Sequence, residues 1–159
     1  MDIRLQHSKE TEEVEKLLDL TFGNDRLNKA AYQYRSNVEP IKELSFVTYL
    51  SDKLIATLQF WPIKINRTEA LLLGPIAVLP ELQGQGYGLS LMGHGLDTAK
   101  SLGHKIVVLV GDEKYYQKVG FSRKLAEKLI MPGQTDETRL LARELVDGAF
   151  DNISGIITK

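Results

Sequence analysis

The chain has 159 residues, of which 43% are hydrophobic and 26% are charged, close to the averages of globular proteins. This length suits one domain around one sizeable core, so we expect a single domain over residues 1–159. Lysine and arginine number 20 and aspartate and glutamate 21, and the net charge of −1 argues against a protein that coats nucleic acid. The lack of cysteine excludes disulfides, cysteine-ligated zinc and a thiol nucleophile.

The apolar runs are too short to span a bilayer, and the first residues lack the apolar stretch of a secretion signal. We therefore expect a cytoplasmic protein with no membrane partner. No spacing of histidine, aspartate and glutamate suggests a metal site.

The first third of the chain predicts a short strand over 3–7 and a helix over 9–22, with Ser8 as its N-cap. The helix should end at Gly23-Asn24, where the helical spacing of apolar residues stops. A second helix is expected over 26–36, on a weaker apolar face.

The middle of the chain predicts three strands joined by short turns. They cover 44–50, 54–60 and 71–78, and Pro62 indicates an edge or a bulge near the end of the second strand, which 63–65 continues. Short turns between successive strands imply an antiparallel meander.

The hydrophobic period then changes from strand-like to helical. Apolar residues at steps of three and four predict a helix over 86–102, closed by Gly103. The unbroken apolar run 106–110 is typical of a buried strand. The remaining residues predict a short helix over 113–118 and a short closing strand over 153–157. Between them, strands are expected over 125–131 and 140–146, on either side of the polar loop 132–139.

The stretch Gln83-Gly84-Gln85-Gly86-Tyr87-Gly88 lies between a predicted strand and a predicted helix. The first turn of a helix leaves backbone N–H groups without partners and carries partial positive charge, and glycines let an anion approach the backbone. This favours a phosphate-binding turn. It is not a P-loop, because no Gly-Lys precedes a Ser or Thr, and the G-x-G-x-G spacing disfavours a dinucleotide-binding fold.

Three segments together resemble the GNAT superfamily of acyl-CoA-dependent N-acetyltransferases. They are Leu73-Gly74-Pro75-Ile76-Ala77-Val78, the glycine stretch at 83–88, and Tyr115-Tyr116-Gln117-Lys118-Val119-Gly120-Phe121. The Gly-Pro within the strand, Gly111-Asp112 and the paired tyrosines resemble the YhbS-like bacterial branch. The resemblance is strong over 73–121 and implies an α/β (α+β) fold with a mixed, mostly antiparallel, splayed sheet flanked by helices.

The same resemblance implies roles for individual residues. Acetyl-CoA would be the cosubstrate, and Tyr116 would protonate the departing thiolate. Backbone groups would hold the pantetheine arm at Ile76, Ala77 and Val78 and the diphosphate at Gly84, Gln85, Gly86, Tyr87, Gly88 and Leu89. Gln83 stands where the family carries Arg or Gln.

Two departures from the family pattern leave parts of the site open. Leu109 occupies a position where many relatives carry an asparagine, and no acidic residue lies within 71–78, where some relatives place a general base. Asp112 and Glu113 are candidate bases, and so is a water chain to solvent. Trp61-Pro62 and 26–40 are candidates for the acceptor side of the site.

The leading hypothesis is an acetyl-CoA-dependent N-acetyltransferase that acts on a primary amine by direct attack in a ternary complex. The amine acceptor is either a small molecule or a protein. The alternative is a non-catalytic acyl-CoA-binding sensor or interaction module, and a nicotinamide-binding protein is a third, weaker reading. Whether the chain forms a homodimer or a monomer is left open by the sequence.

Overall fold

The computed structural model describes residues 2–159, and for Asn24 the backbone alone. Its strands are β1 (Asp2–Leu5), β2 (Phe46–Leu50), β3 (Lys53–Ile65), β4 (Thr68–Val78), β5 (Ile106–Val110), β6 (Leu129–Ile130), β7 (Leu140–Glu144) and β8 (Gly155–Thr158). Its α-helices are α1 (Thr11–Phe22), α2 (Tyr87–Ser101), α3 (Glu113–Tyr116) and α4 (Arg123–Ala126).

The strands form one mixed sheet in the order β1-β2-β3-β4-β5-β7. The strands β1 to β4 are antiparallel neighbours, β5 runs parallel to β4, and β7 returns antiparallel to β5. The strand β8 pairs with the end of β3 at Lys64 and Ile65, and also with β6. This topology confirms the predicted mixed, mostly antiparallel sheet flanked by helices.

The sheet is splayed between β4 and β5. These two strands pair only at Leu71 with Val107 and at Leu72 with Val108, although β4 continues to Val78. Pro75 lacks an N–H and cannot donate to a neighbouring strand. On its other side β4 stays paired with β3 as far as Val78. The edge of β4 that faces β5 is therefore open from Leu73 onward.

Both faces of the sheet are buried. Successive residues of a strand point to opposite faces, so β4 contributes side chains to both. On one face α1 and α2 cover Leu71 and Leu73. On the other face Leu72 and Ala70 lie in a second cluster with Trp61. Close packing of α2 on β3 requires Gly95, since an added Cβ would lie 2.8 Å from a ring carbon of Phe60.

Two predicted elements were wrong. The helix expected over 26–36 is instead two short 3-10 helices, Asn24–Asn28 and Ala30–Tyr34, separated by Lys29 in an extended conformation. The strand expected over 125–131 begins as α4, because the Ser122 hydroxyl accepts a hydrogen bond from Leu125 N and caps a helix. Only Leu129–Ile130 pairs as a strand there.

The remaining differences are smaller and have local causes. Ser8 is not the cap of α1: Glu10 accepts a hydrogen bond from His7 N at 2.7 Å, and the chain enters α1 through a 3-10 turn over Ser8–Glu10. The strand β3 runs unbroken through Pro62. Its neighbour β2 pairs with β3 only as far as Leu58, so the missing N–H of Pro62 faces no strand.

Across residues 2–159, the structure contains no helix with the length and apolar character needed to cross a membrane.

Candidate active site

One cleft lies beside the open edge of β4 and the start of α2. It has a volume of about 400 Å³, and Ile76 and Val78 of β4 line it. Facing them are residues of the glycine stretch and the first turn of α2, with Tyr115 and Tyr116 at one end and Lys118 nearby. The open strand edge and the helix N-terminus therefore share one surface, which we call the glycine cleft.

The glycine stretch presents backbone amides to this cleft. Gly86 is the N-cap of α2 with φ +91°, and a Cβ placed there would meet no atom within 4 Å. Ser90 N donates to Gly86 O at 3.0 Å and is the first α2 amide with an intrahelical acceptor. Within the described residues, the amides of 84–89 have no hydrogen-bond acceptor. Free amides and the helix dipole together favour an anion here.

Three of the residues expected at the cofactor, Gln83, Gln85 and Ala77, have side chains that do not point into free space in the cleft. Gln83 lines the cleft, but its side chain Nε2 donates to Val78 O at 3.1 Å, which ties the glycine stretch to the end of β4. Gln85 is exposed, and the Ala77 side chain is buried in the core. Only their backbone groups are available for the roles predicted from the resemblance.

Tyr116 ends α3, whose first turn is capped by Asp112 accepting from Lys114 N at 3.2 Å. Its ring packs directly on Gly111, where an added Cβ would lie 2.8 Å from Cδ2 of Tyr116. Phe121 meets the ring edge-on. Burial, with smaller effects from Tyr115 and Asp112, raises the pKa of Tyr116 to about 12. The hydroxyl is therefore protonated at neutral pH and makes no hydrogen bond to the described residues.

A second, larger cavity adjoins the glycine cleft. Its volume is about 660 Å³, and it shares Phe22, Ile76, Tyr115 and Tyr116 with that cleft. The rest of its wall comes from the two 3-10 helices after α1, the Gly74-Pro75 segment, the end of β5 and part of the 132–139 loop. We call it the acceptor cavity. The two spaces meet at Ile76 and Tyr116, which the resemblance assigns to the pantetheine arm and to the departing thiolate.

Arg35 lies in the wall of the acceptor cavity with its guanidinium 4.2 Å from the ring centre of Tyr32. Its Nε and Nη1 atoms are buried without a hydrogen-bond partner. Burial, together with the nearby charge of Arg26, lowers the pKa of Arg35 to about 10. Arg35 thus remains charged at neutral pH. It falls within the predicted acceptor region 26–40, but no sequence pattern indicated that its charge lacks a counter-ion.

Tyr115, to which the sequence analysis assigned no role of its own, lines both spaces. A Cβ placed on Gly88 would lie 3.0 Å from the Tyr115 hydroxyl, so this hydroxyl sits over the first turn of α2. The family motif indicated Tyr116 alone, so the place of Tyr115 in the site was missed. Trp61 is 8% exposed and lies below the cavity wall, where its Nε1 donates to Gly74 O at 2.7 Å.

The candidate bases are engaged in local structure. Asp112 caps α3, and Glu113 accepts from Arg123 N at 2.8 Å. Of these two, only Asp112 lines the acceptor cavity. Leu109, at the position of the missing asparagine, is buried in the cavity wall. Neither space is lined by a histidine, and the part of the chain that is described holds no group of three or more potential metal ligands among His, Asp and Glu.

An open strand edge beside a glycine-rich helix N-terminus, within a sheet that splays between β4 and β5, is the arrangement that the sequence resemblance predicted. The family model "Acetyltransferase (GNAT) family" matches residues 11–121. The chain belongs to this acetyltransferase family, which confirms both the expected family and the expected class of enzyme.

Two solved structures share the fold over almost the whole chain. The GNAT family N-acetyltransferase YhbS from Escherichia coli, solved with CoA, has a TM-score of 0.83 and 24% identity, with 98% of this chain and 87% of YhbS covered. A GNAT family acetyltransferase from Brucella melitensis, solved with acetyl-CoA, has a TM-score of 0.74 and 21% identity, with coverages of 99% and 94%.

A curated relative matches part of the chain. The uncharacterized N-acetyltransferase YjhQ of Escherichia coli strain K12 is 35% identical over 57 residues. The match spans 36% of this chain and about a third, 32%, of YjhQ.

Proposed function

We propose that this protein is an N-acetyltransferase that moves an acetyl group from acetyl-CoA to a primary amine within a ternary complex. The single observation that carries the proposal is that the glycine cleft and the acceptor cavity meet at Ile76 and Tyr116. Two ligands bound in these spaces would bring their ends together at one point, which supports direct transfer over a covalent enzyme intermediate.

The donor fits the glycine cleft by its chemistry. A diphosphate would accept hydrogen bonds from the free amides of 84–89, with the dipole of α2 favouring its charge. The pantetheine arm carries amides that would pair with the open edge of β4 along Ile76, Ala77 and Val78, as an added strand does. Lys118, at the margin of this cleft, adds positive charge near the phosphates.

The transfer makes three demands on the residues at the junction. The acceptor must be a neutral amine, because an ammonium has no lone pair, and a water chain or Asp112 would take its proton. A backbone N–H near Ile76 would stabilise the oxyanion in this water-poor gap, a contribution of about 3 kcal/mol for one well-placed donor. The C–S bond then breaks, and the Tyr116 hydroxyl would donate a hydrogen bond or proton to the leaving thiolate.

Taken together, the two spaces draw on elements from α1 to the 132–139 loop. This distribution supports the proposal that residues 1–159 act as one acetyltransferase domain.

The test is free-thiol release from acetyl-CoA across a panel of primary amines, with coenzyme A binding measured separately by calorimetry. Amine-dependent thiol release with CoA binding supports the proposal. Tight binding of CoA with no turnover on any amine would indicate a non-catalytic acyl-CoA sensor. Absence of binding at millimolar CoA would overturn both readings.

A further inference from the structure

The acceptor cavity contains a cation for which the protein supplies no counter-ion. Arg35 forms no salt bridge to any residue among 2–159 whose side chain is described, and its Nε and Nη1 atoms are buried without hydrogen-bond partners. The hydroxyl of Tyr32 stabilises its charge, but this hydroxyl is neutral and is not a counter-ion. Its neighbours are aromatic rings: Tyr32 at 4.2 Å and Trp61 at 5.8 Å from the guanidinium carbon to the ring centre.

Arg26, nine residues earlier in the same segment, shows the opposite arrangement. Arg26 is buried as a whole, whereas Arg35 is half-buried, and Arg26 is bonded to Asp19 at 3.0 Å and to Glu15, both on α1. Arg26, which holds this segment against α1, is thus neutralised by carboxylates. Burying a charge without a partner is costly, so Arg35 is not explained by the stability of the ligand-free fold. Its lack of a counter-ion indicates a role in binding a ligand.

The position of Arg35 gives it access to a ligand. Its Nη2 lies beside the backbone of β4, where a Cβ added to Gly74 would come within 2.9 Å of it. Gly74, Pro75 and Arg35 line the same cavity. Gly74 itself accepts the hydrogen bond from Trp61 Nε1 through its carbonyl oxygen.

The balance of charges in the cavity points to an anionic ligand group. Three cations line it, Lys29, Arg35 and Arg139, and Asp112 is the one carboxylate in its lining. Asp112 belongs to the Tyr116 end, since its charge acts on that hydroxyl. An acceptor that was purely cationic would be repelled from the Arg35 side.

We propose that the acceptor is a small amine that also carries a carboxylate, and that Arg35 binds this carboxylate while the amine faces Ile76 and Tyr116. This inference rests on the proposed function and names its substrate class. A guanidinium and a carboxylate match in charge and planar geometry.

The experiment compares matched acceptors: ω-amino acids of increasing chain length and the corresponding ω-amino carboxamides. Each pair differs in charge alone, and both members are compared at equal concentrations of the free amine. We expect kcat/KM to be about 10- to 100-fold higher for the acids, the range that a charged hydrogen bond supports. In Arg35→Met the preference should fall to about one, and in Arg35→Lys it should be intermediate.

Arg67→Met is the matched control, because Arg67 lies in the exposed turn between β3 and β4 and should leave the preference unchanged. The melting temperature of ligand-free Arg35→Met should equal or exceed that of the wild type, since the variant removes an unpaired buried charge. A large fall would instead assign Arg35 to the stability of the fold.

A binding measurement keeps the inference testable without turnover. Saturation-transfer NMR with N-acetylated ω-amino acids and their carboxamides, in the presence of CoA, should detect the acids bound to wild type and not to Arg35→Met. Equal binding of acids and amides, or a preference that survives in Arg35→Met, would overturn the inference. So would stronger turnover of phosphoethanolamine than of every carboxylate, which would assign the cavity to phosphate.

Failure of this inference differs from failure of the proposed function. If calorimetry detects CoA binding and uncharged amines are acetylated as well as amino acids, only the carboxylate assignment falls. If CoA does not bind, the proposed function falls, and the NMR comparison still decides whether Arg35 holds a carboxylate.

Discussion

Replacing Tyr116 with phenylalanine removes one hydroxyl and leaves the ring in place. The ring contacts with Gly111, Tyr115 and Phe121 do not involve the oxygen, and the hydroxyl has no hydrogen-bond partner among the described residues. The free energy of unfolding should therefore change by no more than about 0.5 kcal/mol. Any loss of activity in Tyr116→Phe can then be ascribed to chemistry rather than to folding.

The expected loss follows from the pKa of Tyr116, which burial raises to about 12. At pH 8 only about one molecule in 10⁴ carries tyrosinate, so the proton donor is intact across the practical assay range. A free thiol has a pKa of about 8.5, so full proton transfer to a solvated thiolate would be uphill. A thiol formed in the same gap would also have a raised pKa, because burial disfavours the thiolate. We therefore expect a decrease in kcat of roughly tenfold or more, equivalent to about 1.4 kcal/mol, at the low end for a general acid.

The assay is thiol release under saturating acetyl-CoA from pH 6 to 10. Wild-type kcat should show no alkaline decrease from Tyr116 in this range, because its pKa lies above it. Tyr115→Phe provides a contrasting variant: its hydroxyl sits over Gly88, so it should raise KM for acetyl-CoA more than it lowers kcat. Unchanged kcat in Tyr116→Phe at every pH would refute the assignment of Tyr116 as the acid.

Three further predictions concern the cleft, the core and the acid stability. Gly88→Ala would place a Cβ 3.0 Å from the Tyr115 hydroxyl and 3.5 Å from Val78 at the cleft wall, so calorimetry should show CoA binding weakened by about tenfold with little change in melting temperature. Gly95→Ala should destabilise the fold by about 1–3 kcal/mol in urea titrations, because the added Cβ clashes with Phe60 and Leu58. Gly93→Ala, with open space around it, should instead stabilise α2 by up to about 1 kcal/mol. Equal effects of the two substitutions would contradict the packing described for α2. Burial opposes the charge of Glu10, but hydrogen bonds from Arg4, Tyr49 and His7 N prevail and lower its pKa from 4.5 to about 2. The ionised carboxylate therefore stabilises the fold above pH 4.5, and this contribution, on the order of 3 kcal/mol, should fade as the pH falls toward 2. Glu10→Gln should lose that part of the pH dependence, while the exposed Glu12→Gln should keep it.

The sequence predicted the elements whose own pattern decides their structure. The meander β2–β4 follows from β-branched and aromatic runs separated by turns, and α2 follows from apolar residues at helical spacing. The glycine stretch was placed correctly at the start of α2, because the helical spacing of apolar residues begins directly after it. Its role as a diphosphate site, like the role of Tyr116, remains a prediction.

The segment between α1 and β2 could not be predicted from periodicity. Its conformation depends on tertiary contacts, above all on Arg26 reaching back to Asp19 on α1, and these override the weak helical pattern over 26–36. The strand expected over 125–131 had a local signal that was missed: Ser122 followed by Arg-Lys-Leu-Ala is a capped helix start. The isolation of Arg35 is a property of its surroundings, which no local pattern encodes.

The two halves of the reaction gap are built from different kinds of backbone. The donor side consists of β4 and α2, whose hydrogen bonds and core contacts tolerate little change. Much of the acceptor side consists of short 3-10 turns and the 132–139 loop, which contribute few side chains to either core cluster. Under the proposed function, substitutions in those turns would alter which amine is admitted while the thioester stays in position, so acceptor choice could diverge during evolution without a new donor site having to arise.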